Sequence, residues 1–424
     1  MKKINSILKE VLQKVEPPKE DLKIIDNSLK EIMQELKKRI KKQNIKAEIF
    51  IGGSFAKKTV IKKDKYDVDV FIRFDKKYTD LSKITAKLIK GMKNVSIIHG
   101  SRDYFRIKIA PDFFIELVPV VKVSSPKQAQ NITDLSYSHV NYIRKKVKNT
   151  KILDEIRIAK AFCYANNCYG AESYIQGFSG YALELLVYYY KTFEKFLKEM
   201  IKLDGKKEVI DIEKHHKNKQ TVLLDLNEAK LLSPIILIDP TFKQRNALAA
   251  LSKETFERFK KAAKSFLKNP RVKAFEVKKT DLDKIQKDAK KKKQEFILIE
   301  IKTKKQQGDI AGSKLLKFYK HLASEVERFF DVKDKGFNYN GKQAARFFIV
   351  AKSKKELVVT GPSVKDKKSV KMFKKKHKKT FIKAGRIHAR DKVNFSLKSF
   401  IDLWKNKHKN RLKEMYVSGL KTVI

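Results

Sequence analysis

The sequence predicts an α+β chain of several domains, and three observations predict it. Its 424 residues suffice for two to four domains, and a 42% hydrophobic content can fill real cores. Apolar residues recur in two periods: helical spacing in Leu22, Ile25, Leu29, Ile32, Leu36 and Ile40, and short β-favouring runs such as Phe113 to Val121. The third observation is the segment 49–74, IFIGGSFAKKTVIKKDKYDVDVFIRF, in which two strand-like runs flank a Gly-Gly-Ser turn.

Charge narrows the partner. Lys and Arg number 99 against 48 Asp and Glu, a net charge of +51, far beyond what solubility requires. Clustered cations gain affinity for a polyanion by releasing counterions from its phosphates, so nucleic acid is the simplest partner and an acidic membrane surface the competitor. No run approaches 18 uninterrupted apolar residues, and the first twenty residues carry charges every few positions, so neither a spanning helix nor a signal peptide is expected. Cys163 and Cys168 lie five apart without a Cys-x-x-Cys or a nearby His/Cys cluster. They read as small helix residues in a reducing cytoplasm rather than as zinc ligands.

Residues 1–44 predict two amphipathic helices separated by Glu16-Pro17-Pro18. Ile49 to Ile51 predicts a strand that ends at Gly52-Gly53-Ser54, where backbone can turn sharply and approach a ligand, and residues 56–61 predict a short helix or turn. Tyr66 to Phe74 predicts a second strand carrying Asp67 and Asp69, which share a face because they are two apart. Solvated surface aspartates are one reading of that pair. The other is a divalent cation held between the carboxylates, with the turn's N–H groups on phosphate oxygens, an arrangement suited to phosphoryl transfer. Leu81 to Lys93 predicts a helix, and Ser96 to Ile98, Tyr104 to Ile109 and Phe113 to Val121 predict strands. Glu116 sits inside the last of these, either at an edge or against a cation, since an unpaired buried carboxylate is costly.

GGSFAKKTV with DVDVF resembles the signature of the polymerase-β-like nucleotidyltransferases, in the form found in archaeal class I CCA-adding enzymes, the tRNA nucleotidyltransferases. That family has Glu-x-Asp where this chain has Asp67-Val68-Asp69, and Asp followed by Val-Pro where this chain has Glu116. One position has lost a methylene and another has gained one. A compensating swap and a decayed site both account for this.

The resemblance runs on. Asp134, Ser136 and His139 match a motif of the form Asp-Arg-Ser/Thr-Pro-x-His, although Leu135 and Tyr137 depart from it; AKAFCYANNCYGAESYIQGFSGYALELL, residues 159–186, resembles a further block. By position, His139, Lys160 and Tyr169 would donate to the triphosphate. Gly177, Ser179 and Gly180 would open a helix that Tyr188 to Tyr190 and KTFEKFLKEMI continue. A strand over Ile235 to Ile238 precedes Asp239-Pro240, then Arg245-Asn246, after which ALAALS would open another helix; the family's Arg reads the incoming base. On pattern alone His139 and Arg245 are ordinary polar residues. The basic runs Lys284 to Lys293 and Lys371 to Lys379, with strands at Phe296 to Ile301, Arg346 to Ala351 and Leu357 to Thr360 and a helix over Lys314 to Phe330, predict a small α/β RNA-binding module. Gly361, Pro362, Asp366 and Phe373 extend the resemblance thinly into it.

The implied architecture is a nucleotidyltransferase head with a mixed sheet over 1–135, a helical nucleotide-binding domain over 136–255 and a basic tRNA-binding body and tail over 256–424. The implied activity is template-independent addition of CCA to the tRNA 3′ end from CTP and ATP, with Mg²⁺ on Asp67, Asp69 and Glu116. Gly53, Ser54, Lys57, His139, Lys160, Tyr169, Arg245 and Asn246 are the implied nucleotide contacts, and Lys374, Lys375 and Lys376 the implied RNA contacts. The acceptor arm of tRNA is the expected partner, with a homodimer as an assembly to be considered and no membrane. A related RNA-tailing or oligoadenylate-forming enzyme, or a catalytically silent RNA-binding protein of the same fold, is the alternative.

Overall fold

Pro17 and Pro18 separate the first helices, α1 (Lys2–Val15) and α2 (Lys19–Lys42), because neither proline can donate a helical N–H. Along α2, Ile25, Leu29, Ile32, Leu36 and Ile40 are buried as one stripe in the core of the head. The computed structural model describes residues 2–63, 65–99, 102–203, 207–277 and 280–424. It divides into two units, Met1–Lys278 and Lys279–Ile424.

The head of the first unit is a five-stranded sheet in the order β1-β2-β5-β4-β3: β1 (Ala47–Ile51), β2 (Tyr66–Phe74), β3 (Val95–Ile98), β4 (Tyr104–Ala110) and β5 (Phe113–Val121). β2 and β5 run parallel and the other pairs antiparallel. The Gly-Gly-Ser turn becomes one helical turn, α3 (Gly53–Ala56). The helix expected to reach Lys93 ends sooner, as α4 (Leu81–Leu88). Asp80 caps its start by accepting from Lys83 N–H, and Arg39 donates to the carbonyls of Leu88 and Lys90, which ends the helix by satisfying its last acceptors.

Helices α5 (Ser136–Lys146), α6 (Thr150–Ala165), α7 (Gly180–Tyr190) and α8 (Phe193–Lys202) build a second core around Phe162, Phe178, Phe193 and Phe196. The helix expected to run through Tyr190 is two helices. Lys191 takes φ +73°, and Thr192 caps α8 by accepting from Lys195 N–H. Cys163 and Cys168 are buried in this core as free thiols, where burial raises both pKa values. A small sheet follows, β6 (Glu208–Ile210), β7 (Ile235–Asp239) and β8 (Phe242–Asn246), with α9 (Lys219–Asp225) between its first two strands. The helix expected at ALAALS is instead a turn after β8. The next helix, α10 (Lys253–Lys268), begins where Ser252 caps it. The boundary expected after residue 255 therefore cuts α10, whose Phe256, Phe259 and Phe266 belong to the aromatic core of the first unit.

In the second unit, α11 (Leu282–Lys291) precedes an antiparallel sheet ordered β10-β11-β9-β15, formed by β9 (Glu295–Lys302), β10 (Phe330–Tyr339), β11 (Ala344–Ser353) and β15 (Gly419–Thr422). α12 (Asp309–Phe329) and α14 (Leu397–Lys407) share its main core. A three-stranded sheet, β12 (Glu356–Ser363), β14 (Arg386–Lys392) and β13 (Thr380–Lys383) in that order, packs on α13 (Lys367–Lys376); Gly361 lies so close to Phe373 that a Cβ there would meet its ring at 2.7 Å. The short α15 (Lys409–Glu414) precedes β15.

Head and helices are joined by a buried carboxylate. Glu184 on α7 accepts from Lys57 Nζ at 2.6 Å, Thr59 Oγ1 at 2.8 Å and Lys160 Nζ at 2.7 Å. Burial pushes this carboxyl up, but Lys160 and Lys57 outweigh it and hold the group at about 2. Removing one member of such a cluster leaves buried charge uncompensated. Glu184→Ala is expected to cost on the order of 3–5 kcal/mol, read as a clear fall in melting temperature. The folded pKa is depressed, so the contribution is present above the ordinary carboxylate pKa, about 4.3, and lost as pH falls towards about 2. A variant that melts like the wild type at pH 7 would show the cluster to be neutral.

Candidate active site

The parallel register of β2 and β5 sets Asp69 directly beside Glu116, with Asp67 opposite Phe114. The two-residue period places Asp67 on the same face as Asp69. The turn after β1 closes over this face because Gly52 N–H donates to the Asp69 carbonyl at 2.8 Å. Two glycines are required there. A Cβ on Gly52 would lie 2.2 Å from the Phe71 ring, and Gly53, at φ +58°, would place one 1.8 Å from Asp69 Oδ2. Ser54 follows within α3.

Burial and the crowding of like charge set the electrostatics. Asp69 is pushed up to about 6, chiefly by burial, with Asp67 adding to it and Lys57 opposing it. Glu116 is pushed up to about 7 by burial and by Asp69, against a hydrogen bond from Arg106. Three carboxylates on adjacent strands, two of them raised in this way, are a donor set that a divalent cation would relieve. Among the described residues, however, no three Asp, Glu, His or Cys side chains already converge at ion-binding spacing. Glu116 Oε1 instead accepts from Arg106 Nη2 at 2.5 Å and Nε at 3.0 Å.

A second cluster is centred on Asp239, at the end of β7 and fully buried. Its Oδ2 is 2.9 Å from His139 Nε2 and accepts from Arg245 Nη1 at 2.7 Å. Its Oδ1 accepts from Tyr181 Oη at 3.0 Å and from Thr241 N–H at 2.8 Å. Burial opposes ionisation of Asp239, but these donors outweigh it and hold the carboxyl well below its usual range. His139 is pushed down, first by burial, so a neutral imidazole donating from Nε2 matches the contact. Tyr181 stacks on it at 4.1 Å between ring centroids.

The expected nucleotide contacts fall into three groups. His139 and Arg245 meet at Asp239, and Arg245 also lies over the Tyr181 ring, 5.9 Å from its centroid. Lys57 and Lys160 are brought together by Glu184, with Lys160 1% exposed; Tyr169 is close by, its hydroxyl 2.8 Å from where a Gly180 Cβ would be. Asn246 is the departure. It is 2% exposed, and its amide accepts from Leu237 and Leu248 N–H and donates to the Lys230 and Ile235 carbonyls, so the side chain is committed to holding the β7–β8 hairpin rather than to a ligand. Asp134 is likewise structural, accepting from Arg102 and from the Val121, Gln130 and Asn131 N–H groups. Lys374, Lys375 and Lys376 form the exposed last turn of α13.

Sequence reasoning gave no role to Tyr181, Glu184 and Asp239, although all three stand in the matched stretches, and passed over Arg106. Asp239 carried a usable signal, a carboxylate closing the apolar run Ile235 to Ile238, related to the carboxylate inside an apolar run that singled out Glu116. Arg106 carried none, because its partner lies across a strand pair whose register the sequence does not fix.

Residues 29–119 match the nucleotidyltransferase domain family, and residues 154–276 match the family described as tRNA nucleotidyltransferase, second domain. The chain is 39% identical to the CCA-adding enzyme of Nanoarchaeum equitans over 49% of its own length and 52% of that enzyme, so this match spans about half of the relative. It is 28% identical to the CCA-adding enzyme of Methanocaldococcus jannaschii over 95% of this chain and 90% of that one. With the CCA-adding enzyme of Pyrococcus abyssi it shares 31% identity over 63% and 60% of the two chains. Among solved structures it is similar in fold to a cytoplasmic RNA terminal U-transferase, with a TM-score of 0.52 and 13% identity over 66% of this chain and 100% of that one. The Cid1 poly(U) polymerase gives a TM-score of 0.52 and 12% identity over 65% and 99%. The chain thus carries a nucleotidyltransferase domain followed by the second domain of the tRNA nucleotidyltransferases, and it is similar to an archaeal CCA-adding enzyme over nearly its whole length.

Proposed function

We propose that this protein adds CCA to the 3′ end of tRNA, drawing on CTP and ATP without a nucleic-acid template. The observation that carries the proposal is the strand register placing Asp69 beside Glu116 at the glycine turn, in a chain similar to CCA-adding enzymes over 95% of its length. Asp67, Asp69 and Glu116 would hold Mg²⁺, which when bound supplies positive charge at the attacking and departing oxygens of nucleotidyl transfer. The chain's own residues do the rest. The turn at Gly53 and Ser54 offers backbone N–H groups to phosphate oxygens, and Lys57 and Tyr169 add positive charge and a donor around the triphosphate. Lys160, whose donors go to Glu184 and Thr59, and His139, whose Nε2–H goes to Asp239, hold these neighbours in place rather than meeting the triphosphate themselves. Arg245, its guanidinium fixed by Asp239, presents remaining N–H groups to the acceptor edges of C and A. The exposed lysines of α13 face the RNA, with the acceptor arm of tRNA as the partner. The cytoplasm is the compartment we assign, and sedimentation of the purified chain distinguishes a monomer from a homodimer.

The decisive measurement is extension of a tRNA lacking its terminal CCA, in Mg²⁺, with each nucleoside triphosphate supplied separately and together. Incorporation of C and then A is expected, and Asp69→Ala is expected to abolish it while tRNA affinity changes less than about threefold. Runs of A or U instead would mark an RNA-tailing enzyme. Intact protein that incorporates nothing would be a silent RNA-binder.

Arg245→Ala should harm discrimination against UTP and GTP more than it weakens triphosphate affinity. Equal loss with all four nucleotides would remove Arg245 from base reading. Replacing Lys374, Lys375 and Lys376 together by Ala should weaken tRNA binding and flatten its salt dependence, by up to about one unit of slope per lost phosphate contact. A triple variant with the wild-type affinity and slope would make this run plain solvated surface.

A further inference from the structure

The Glu at position 116 and the Arg at position 106 form one built device. Arg106 lies on β4 directly opposite Glu116 on β5. It grips a single carboxylate oxygen with two nitrogens, at 2.5 and 3.0 Å, and its Nη2 is 3.8 Å from Asp67 Oδ1. The guanidinium also lies over the Phe114 ring, 5.2 Å from the centroid, so its orientation is set from two sides. The side chain of Glu116 is 14% exposed, and among the described residues its carboxylate does not close a three-ligand cage with Asp67 and Asp69. A fixed cation thus stands among the same carboxylates that would hold a metal ion. An Asp at this position, one methylene shorter, would sit about 1 Å further from that guanidinium.

We propose that Arg106 is a positioning residue that competes with the divalent cation for Glu116, holding this carboxylate away from Asp67 and Asp69 until a cation draws it back. The inference rests on the metal-dependent reading above. Its physical content is that Arg106 and the metal oppose each other: the guanidinium repels a second cation nearby and occupies an oxygen the cation needs. Glu at 116 is then the residue whose reach allows the exchange.

The test is Mn²⁺ binding to the full-length chain, read by the electron paramagnetic resonance signal of free Mn²⁺, with melting curves to confirm that each variant is folded. Arg106→Gln removes the charge and should bind Mn²⁺ roughly tenfold tighter than the wild type. Arg106→Lys keeps a cation but loses the two-nitrogen grip, and should fall between the two. In the Glu116→Asp background, where the contact is already broken by shortening the partner, adding Arg106→Gln should tighten binding by less than about threefold. Should Arg106→Gln fail to fold, Arg106→Lys and Glu116→Asp interrogate the same contact. Mn²⁺ bound by the wild type with equal or weaker affinity in Arg106→Gln overturns the inference and leaves the proposed activity standing, as does an equal effect in both Glu116 backgrounds. No Mn²⁺ bound by any form, with Asp69→Ala indistinguishable from the wild type, overturns the metal-dependent reading and the inference together.

Discussion

Gly52 N–H donates to the Asp69 carbonyl at 2.8 Å, and the geometry of the head follows from that hydrogen bond. It extends the antiparallel pairing of β1 with β2 one residue beyond Ile51↔Val70, so the turn begins directly beside Asp69 rather than one residue away. A slip of one residue would carry Asp67 and Asp69 to the opposite face of the sheet. The glycines make the register permissible, since any side chain at 52 strikes Phe71 and any at 53 strikes the Asp69 carboxylate. The same strand edge therefore specifies both the turn and the placement of the acidic pair.

The first unit is tied together by three buried carboxylates that each collect donors from separate stretches of chain. Asp134 gathers Arg102 with the end of β5, Glu184 gathers Lys57 and Thr59 with Lys160, and Asp239 gathers His139, Tyr181 and Arg245. In a chain with about two cations for every anion, a buried acid readily finds partners and a buried lysine less so. This asymmetry explains why the carboxylates serve as centres and the cations as spokes. It also means that Lys57 and Arg245, the cations proposed to meet the nucleotide, are held in place by carboxylates before any ligand arrives, a form of preorganisation.

Much of this was legible in the sequence, and the features that were not share a physical cause. The strands of the head, the helices on either side of Pro17-Pro18 and the position of the acidic pair follow from local periodicity and turn chemistry, which short stretches of sequence encode. The continuous helix expected across Tyr190 failed because a single residue, Lys191, adopts a left-handed conformation that no Gly announced. The helix expected at ALAALS failed because Asn246 binds four backbone groups and keeps that stretch in a hairpin and turn, a tertiary choice overriding helical propensity. β10, β13, β14 and β15 went unread for a related reason. In β10, β14 and β15 charge on the exposed face leaves the apolar half of the alternation sparse, and β13 is four residues long with its two apolar residues adjacent. Tyr181, Glu184 and Asp239 stand inside matched stretches of sequence yet carry no visible role there, because their partners come from distant parts of the chain, and Arg106 acts across a strand pairing.

The paired departures at Asp67 and Glu116 acquire a physical account from the sheet. Asp67 lies near the start of β2, half exposed, where a shorter side chain leaves open space towards solvent. Glu116 lies in the interior of β5, between β2 and β4, where a longer side chain must go somewhere, and the partner strand supplies Arg106 to receive it. The two changes therefore differ in kind. Shortening at a strand end alters reach and little else, whereas the extra methylene at Glu116 carries a buried carboxylate to Arg106, whose charge offsets the carboxylate's desolvation. The swap cannot be understood as a simple exchange of lengths between two ligands. It is a three-residue arrangement, and the third residue, Arg106, makes Glu116 a stable occupant of its strand.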